Sequence, residues 1–214
     1  IISSIDENVL CLSSISGTFS GTVTGVSSNA TGTYSSIATS WSLARVTVTK
    51  NVSGVLAPDG SLMDKVVEDT TASNTHYIAQ THNVTAGLTY TLSVFAKAAE
   101  LTKFRFSFPA GSSQFLSNCQ AIFNLSDGTV EGWASLSDYG ITKMGNGFYR
   151  CWASAVCQTT ASALLTIFLD HGGQITYTGD GSSGIYLWGF QIESMDITSY
   201  IKTLSTSVSR SADV

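Results

Sequence analysis

The sequence predicts an all-β fold, an antiparallel β-sandwich for which a jelly roll is the favoured topology. Short segments of alternating apolar and polar residues recur about every dozen residues and are separated by turn signals, a spacing typical of sandwiches. No segment shows a convincing helical period. The third observation is the stretch Ile185–Glu193, whose aromatic-rich alternation needs a second layer to cover it.

Length and composition limit the classes of function. The chain has 214 residues, 12% of them charged, and a net charge of −5. Such a surface repels a phosphate backbone, so no nucleic-acid partner is expected. No apolar run reaches the roughly 18 residues of a membrane-spanning helix, so no membrane insertion is expected. A surface rich in Ser, Thr and Gly is common in extracellular adhesive modules and viral structural proteins, which predicts an extracellular or virion-associated location.

The pattern changes at Trp41. Residues 1–40 predict an N-terminal arm or linker with one weak strand at 17–23. Residues 41–214 carry the sandwich pattern, with predicted strands at 45–49, 62–68, 76–84, 88–97, 103–108, 121–125, 130–136, 148–157, 163–170 and 185–193. Turn signals lie between them at Pro58-Asp59-Gly60, Asp127-Gly128, Gly145-Asn146-Gly147 and 178–184.

The closing stretch is predicted to have one core face and one partly solvated face, because strand side chains alternate with a period of two. The aromatic parity is expected in the core: Tyr186, Trp188, Phe190 and Ile192. The quieter parity is expected outside: Leu187, Gly189, Gln191 and Glu193. We expect Gln191 and Glu193 to share a sheet face or edge with Arg150 and Trp152.

The four cysteines predict no metal site. Cys11, Cys119, Cys151 and Cys157 form no CxxC pair and have no paired histidine spacing beside them. Cys151 and Cys157 lie on one predicted strand about 20 Å apart, which is too far for a mutual disulfide. Buried free thiols are the favoured interpretation. A bridge from Cys119 to a neighbouring strand stays an alternative.

Catalytic patterns are weak, so an enzyme is not expected. Glycoside hydrolysis needs two converging carboxyl groups, and the candidate pairs are Glu68 with Glu193 and Glu131 with Asp138. Nothing in their spacing requires either pair. Asp170-His171 resembles part of a hydrolase triad, yet no G-x-S-x-G elbow accompanies it, and a strand-end turn is favoured.

A binding face is the remaining functional signal. Sugars are bound by aromatic rings that stack on their C–H faces and by amides, Arg and carboxylates that bond their hydroxyls. Parity points Phe95 and Trp152 away from the core, unless these rings pack under a loop or against another subunit. Polar partners on the same strands, and two weaker aromatic candidates in or near loops, complete the predicted set: Lys97, Arg150, Gln191, Trp133 and Tyr139.

Several motifs, in this order, resemble those of the jelly-roll carbohydrate-binding modules of phage tail fibres, tailspikes and viral polysaccharide-degrading enzymes. They are Trp41, Pro58-Asp59-Gly60, His76-Tyr77, the segment 90–98, Gly147-Phe148-Tyr149-Arg150, the segment 187–193, Thr198-Ser199-Tyr200-Ile201 and the segment 208–213. The resemblance covers about residues 41–214. It implies two antiparallel sheets, a non-catalytic glycan-binding role and a structural Ca²⁺ near the sandwich edge, with Glu193 at the matching position for a ligand.

Three hypotheses follow. The leading one is a non-catalytic module that binds a polysaccharide or cell-surface glycan within a phage or viral tail protein or a polysaccharide-degrading protein. The second is a structural spacer or homo-oligomerisation domain of a tail fibre, in which the outward rings lie in a subunit interface. The third is a glycan lyase or hydrolase on a β-sandwich.

Overall fold

The structure is a computed structural model of the chain. It describes residues 41–109, 114–117 and 119–201, and for the segments 2–6, 9–12, 30–32 and 208–210 the backbone alone. Every regular element in this part of the chain is a β-strand, so the predicted all-β class is confirmed. No helix in the same part is long and apolar enough to cross a membrane.

Eighteen strands make up the described fold. In chain order they are β1 Ile2–Asp6, β2 Val9–Leu12, β3 Ala30–Gly32, β4 Ser42–Ala44, β5 Val46–Thr49, β6 Asp64–Glu68, β7 Asn74–Thr75, β8 Tyr77–Val84, β9 Thr89–Ala98, β10 Lys103–Ser107, β11 Gln120–Asn124, β12 Thr129–Gly132, β13 Asp138–Gly145, β14 Phe148–Val156, β15 Ala161–Asp170, β16 Thr176–Tyr177, β17 Gly184–Glu193 and β18 Val208–Arg210.

Two antiparallel six-stranded sheets form the sandwich. The first sheet has the order β12-β11-β10-β15-β8-β4, and the second sheet has the order β13-β14-β9-β17-β6-β5. Three short ribbons, β1-β2, β7-β16 and β3-β18, accompany them. The antiparallel sandwich is as predicted, whereas the jelly-roll winding stays a prediction. Of the N-terminal arm, the described backbone contains β1, β2 and β3, and the predicted strand at 17–23 lies outside the described residues.

The core fills the space between the sheets because alternate side chains on facing strands are large and apolar. In β9 the inward parity is Tyr90, Leu92, Val94 and Ala96, all buried. In β10 the inward residues are Phe104 and Phe106, and in β11 they are Ala121 and Phe123. The rings of Phe104 and Phe123 stack with centroids 4.8 Å apart. Leu88 breaks the pattern, because it precedes the strand and is exposed.

The predicted turns form for the reasons that their residues suggest. Asp59 Oδ1 accepts a hydrogen bond from the Ser61 backbone N–H at 2.9 Å, and Gly60 follows with φ +82°. A left-handed φ is inexpensive only for glycine and, to a lesser degree, asparagine. The turn that joins β13 to β14 uses both types, with Asn146 at φ +47° between two glycines of positive φ.

One strand departs from simple alternation, so the face prediction is right for residues 190–193 and wrong for residues 186–188. The register between β17 and β9 shifts between Trp188 and Gln191, and Gly189 lies in this bulge with φ +62°. A bulge inserts one extra residue and so exchanges the faces of the residues beyond it. The residues of β17 that join the core are therefore Ile185, Leu187, Phe190 and Ile192. Trp188 and Tyr186, predicted inside, lie half-buried outside the core cluster.

Two further predictions are corrected or refined. Tyr139, expected in or near a loop, lies within β13, an eight-residue edge strand of the second sheet that the sequence pattern did not reveal. Three cysteines, Cys119, Cys151 and Cys157, are buried free thiols, so the bridge from Cys119 does not form. Burial raises the pKa of the thiols of Cys119 and Cys151.

Candidate functional site

The outer face of the second sheet brings together several of the predicted site residues. In the strand register, Ser93 of β9 is paired with Trp152 of β14 on one side and with Gln191 of β17 on the other. Phe95 is paired in the same way with Arg150 and Trp188. The prediction that Gln191 shares a sheet face with Arg150 and Trp152 is therefore confirmed.

Residues 194–201, which we call the strap, fold back over this face. The Thr91 hydroxyl donates to the Met195 carbonyl at 2.5 Å, and Arg150 Nη2 donates to the Thr198 carbonyl at 2.5 Å. At the end of the strap, the Ile201 N–H donates to Gln191 Oε1 at 2.9 Å. The strap thus satisfies polar groups from three neighbouring strands, and the face is largely withdrawn from solvent.

Phe95 is oriented as predicted but is not exposed. Its side chain faces away from the core, yet only 5% of the residue is accessible. The Trp188 and Tyr200 rings cover it at centroid distances of 5.3 and 5.8 Å. The Arg150 guanidinium carbon lies 5.6 Å from the centroid of the Phe95 ring. The prediction of an exposed Phe95 is wrong, because aromatic burial by the strap outweighs exposure to water.

Glu193 and Gln191 are buried under the same strap. The Glu193 carboxylate accepts the Thr198 N–H at 3.2 Å and also bonds the Thr198 hydroxyl. Ca²⁺ takes six to eight oxygen ligands, and no group of three or more His, Cys, Asp or Glu in the described residues could hold a metal ion. The Ca²⁺ site therefore stays a prediction, with Glu193 as its one proposed ligand.

A groove remains open between the strap and the edge of the second sheet. Its volume is about 440 Å³, and we call it the strap groove. Arg150 and Trp152 line it together with side chains of β13 and of the strap, namely Thr142, Met144, Ile197, Thr198 and Ser199. The groove therefore joins an indole ring, a guanidinium group and three hydroxyl-bearing residues.

Trp152 is held flat because its neighbour across the strand pair is a glycine. Gly140 is paired with Trp152, and a Cβ added there would lie 2.1 Å from Cζ2 of the indole. On the same edge of the indole, Nε1 donates to Asp138 Oδ2 at 3.1 Å. Only glycine at position 140 leaves room for this ring position, so β13 fixes the indole in place.

The other three predicted residues lie apart from the strap groove. Tyr139 is exposed, with its ring against Gly132, where an added Cβ would meet it at 2.4 Å. Trp133 lies in the loop directly after β12, as expected, and the Arg105 guanidinium carbon lies 5.3 Å from its ring centroid. Lys97 is half-buried on the outer face of β9, near the turn at Gly147.

The outer face of the first sheet carries a second groove that the sequence reasoning missed. Its volume is about 330 Å³, and we call it the first-sheet groove. The lining residues come from β7, β8, β10, β11 and β15 and from the loop after β10. They are Thr75, Tyr77, Ser107, Pro109, Gln120, Leu164, Thr166 and Phe168. The nearly continuous apolar run at 163–170 concealed it, because three outward positions there are Leu164, Thr166 and Phe168.

The candidate pair Glu68 and Glu193 does not come together. Gly184 is paired with Val67, next to Glu68, and Glu193 lies at the other end of β17, about 30 Å away at roughly 3.3 Å per residue. Asp170 is buried and pairs with Arg105 at 2.8 Å. Its neighbour His171 forms the predicted strand-end turn, bridged to Gln174.

A buried polar cluster near the start of β17 is internally bonded. Glu68 accepts the Tyr177 hydroxyl at 2.7 Å and the Asp180 N–H at 2.9 Å. Burial, followed by the hydrogen bond to Glu68, raises the pKa of Tyr177. The His76 ring lies 4.7 Å from the Tyr177 ring. These contacts hold the loop 178–184 against β6.

Comparison with known proteins does not assign the chain to a family. No protein-family model matches the chain, and no curated protein is similar to it at a significant level. The resemblance to jelly-roll carbohydrate-binding modules therefore stays a prediction.

Proposed function

We propose that this protein is a non-catalytic module that binds a polysaccharide or a cell-surface glycan. The observation that carries the proposal is the strap groove, in which Trp152 and Arg150 lie beside the polar residues Thr142, Thr198 and Ser199. An aromatic ring offers a flat surface to the C–H face of a sugar, and the surrounding polar groups bond its hydroxyls.

The rigidity of the groove supports the same role. Trp152 is fixed by Gly140 and Asp138, and Arg150 is fixed by its bond to the Thr198 carbonyl. Side chains that are held before the ligand arrives lose little entropy when they bind it. The acidic, lightly charged and Ser/Thr-rich composition fits an extracellular or virion-associated component of a tail or of a polysaccharide-degrading protein.

Affinity gel electrophoresis tests the proposal. The purified protein is run through gels that contain β-glucan, xylan, mannan or alginate, and we expect at least one of them to retard it. Trp152→Ala is expected to weaken binding at least tenfold, about 1.4 kcal/mol. Thr142→Arg is expected to do the same by filling the groove from the exposed edge strand.

The matched control is Thr81→Arg, which places the same side chain at an exposed strand threonine of the first sheet, outside the strap groove. It is expected to bind like the unmodified protein. Absence of retardation by every polysaccharide contradicts the proposal. Equal binding by Thr142→Arg and Thr81→Arg contradicts the assignment to the strap groove. Release of reducing ends by the pure protein would favour the enzymatic alternative.

A homo-oligomeric structural role is the second candidate. The observation that favours it is a patch of exposed apolar side chains. Leu88 is 45% exposed and Met195 is 53% exposed, and both line one shallow pocket. Val156, which is 38% exposed, lies nearby. Val156 is paired with Thr89, the neighbour of Leu88. Sedimentation velocity decides it: a stable oligomer that Leu88→Lys converts to a monomer supports this role, and a monomeric unmodified protein excludes it.

A further inference from the structure

The first-sheet groove has the form of a binding site. Its floor crosses three strands in register, because Thr166 is paired with Ser107 and Ser107 with Gln120. Neighbouring strands lie about 4.8 Å apart, so a row of two hydroxyls and one amide extends about 10 Å across the sheet. Leu164 and Phe168 rise on either side of Thr166, two residues away along β15.

The polar groups of this row are positioned in advance. Gln120 Oε1 accepts from Arg105 Nη1 at 3.2 Å, and Gln120 Nε2 donates to the Ser107 hydroxyl at 3.2 Å. Arg105 is itself fixed by Asp170 at 2.8 Å. The second hydrogen of Gln120 Nε2 has no partner among the described residues and can be donated to a ligand.

Thr166 supplies the central hydroxyl of the row. Only 7% of the residue is accessible, and it lines the groove. Its hydroxyl oxygen is not among the fully buried atoms without a partner, so it opens into the groove. A ligand in the groove can supply a donor or an acceptor to it.

The walls and the charge of the groove indicate the ligand class. Phe168 and Tyr77 are both half-buried and meet edge to face, with centroids 5.2 Å apart. None of the eight described residues that line the groove is charged. The nearby Arg45 guanidinium carbon lies 5.5 Å from the Tyr77 ring centroid, and its nitrogens bond the neutral Thr75 carbonyl and hydroxyl. Arg105 is paired with Asp170. A ligand with many hydroxyls, an apolar face and no charge matches this lining.

We infer that the first-sheet groove is a second saccharide site, specific for a neutral glycan, so that one chain binds two glycan segments on opposite faces of the sandwich. The inference rests on the proposed glycan-binding function and extends it. Because the strap groove and the first-sheet groove lie on the outer faces of different sheets, one glycan segment cannot fill both. The protein would therefore link two polysaccharide chains.

Stoichiometry by titration calorimetry tests the inference. The probes are neutral hexasaccharides of glucose, xylose and mannose, and an acidic hyaluronan hexasaccharide. We expect two neutral hexasaccharides per chain for the unmodified protein and for the control Thr47→Arg, which places arginine at an exposed strand threonine of β5 that lines neither groove. Leu164→Arg changes an exposed wall residue and is expected to leave one site, as is Thr142→Arg in the strap groove. Phe168→Ala is expected to weaken the first-sheet site at least tenfold.

Each outcome separates this inference from the proposed function. One site that Thr142→Arg removes and Leu164→Arg leaves intact overturns the second site and leaves the proposed function standing. One site that only Leu164→Arg removes supports the first-sheet groove and overturns the strap groove. Two sites for hyaluronan alone overturn the neutral class. No binding of any hexasaccharide overturns both. Equal thermal unfolding of Leu164→Arg and Thr47→Arg verifies that both variants fold.

Discussion

Gly189→Ala tests whether the bulge in β17 controls the outer face of the second sheet. Gly189 has φ +62°, a conformation that costs an L-residue about 1–2 kcal/mol. The added Cβ would also lie 3.0 Å from Cε2 of Tyr200 and 3.2 Å from Cδ2 of Phe95. Crowding of a packed site costs about 1–3 kcal/mol. We therefore expect the substitution to lower the free energy of unfolding by about 2–5 kcal/mol.

Gly60→Ala is the matched control for the backbone contribution. Gly60 has φ +82°, and an added Cβ would meet nothing within 4 Å. Both substitutions remove the same flexibility from the unfolded chain, so their difference isolates the crowding by the two rings. Urea unfolding measures both free energies.

A double-mutant cycle sharpens the result. Tyr200→Ala removes one of the two crowding rings, so the loss caused by Gly189→Ala should be smaller in that background. Equal losses for Gly189→Ala and Gly60→Ala, together with additive effects in the cycle, would refute the crowding argument.

Three further predictions concern stability and reactivity. Arg105→Met leaves a buried carboxylate without its partner and should cost about 3–5 kcal/mol in urea unfolding, whereas Lys65→Met at an exposed pair should cost under about 1 kcal/mol. Hydrogen bonds lower the pKa of Asp180, and the bond from the Ser183 hydroxyl contributes most. The stabilisation of the fold by the Asp180 carboxylate is therefore complete above the unfolded pKa of about 3.9 and is lost as the pH falls through the folded pKa. The stability difference between the unmodified protein and Asp180→Asn should therefore shrink in acid titrations. Burial raises the pKa of the Cys151 thiol, so a thiol reagent at pH 8 should modify it only after unfolding.

Strand positions could be predicted from the sequence because they depend on local pattern and turn chemistry. The segments 88–97 and 163–170 match β9 and β15 closely, since apolar alternation and flanking turn residues define both. The edge strand β13 was missed because its residues are mostly exposed and show no apolar parity. A strand that buries little carries little hydrophobic signal.

Exposure could not be predicted, because it depends on contacts between distant segments. The bulge at Gly189 reverses the faces beyond it, and a period-two pattern cannot show a one-residue insertion. The strap then buries Phe95 and Gln191 on what the pattern makes an outer face. Strand parity placed Arg150 and Trp152 on the outer face, and both stay accessible because a groove remains beside the strap. Thr166 was not predicted because it lies within an apolar run.

The strap also bears on the order of folding. Its anchors on Thr91, Arg150 and Gln191 belong to β9, β14 and β17, so they come together only after these strands have paired in register. We expect strap contacts to be absent from the folding transition state. Substitutions in the strap should then accelerate unfolding and leave the folding rate nearly unchanged. The segment 194–201 would set the lifetime of the native state and not the speed with which it is reached.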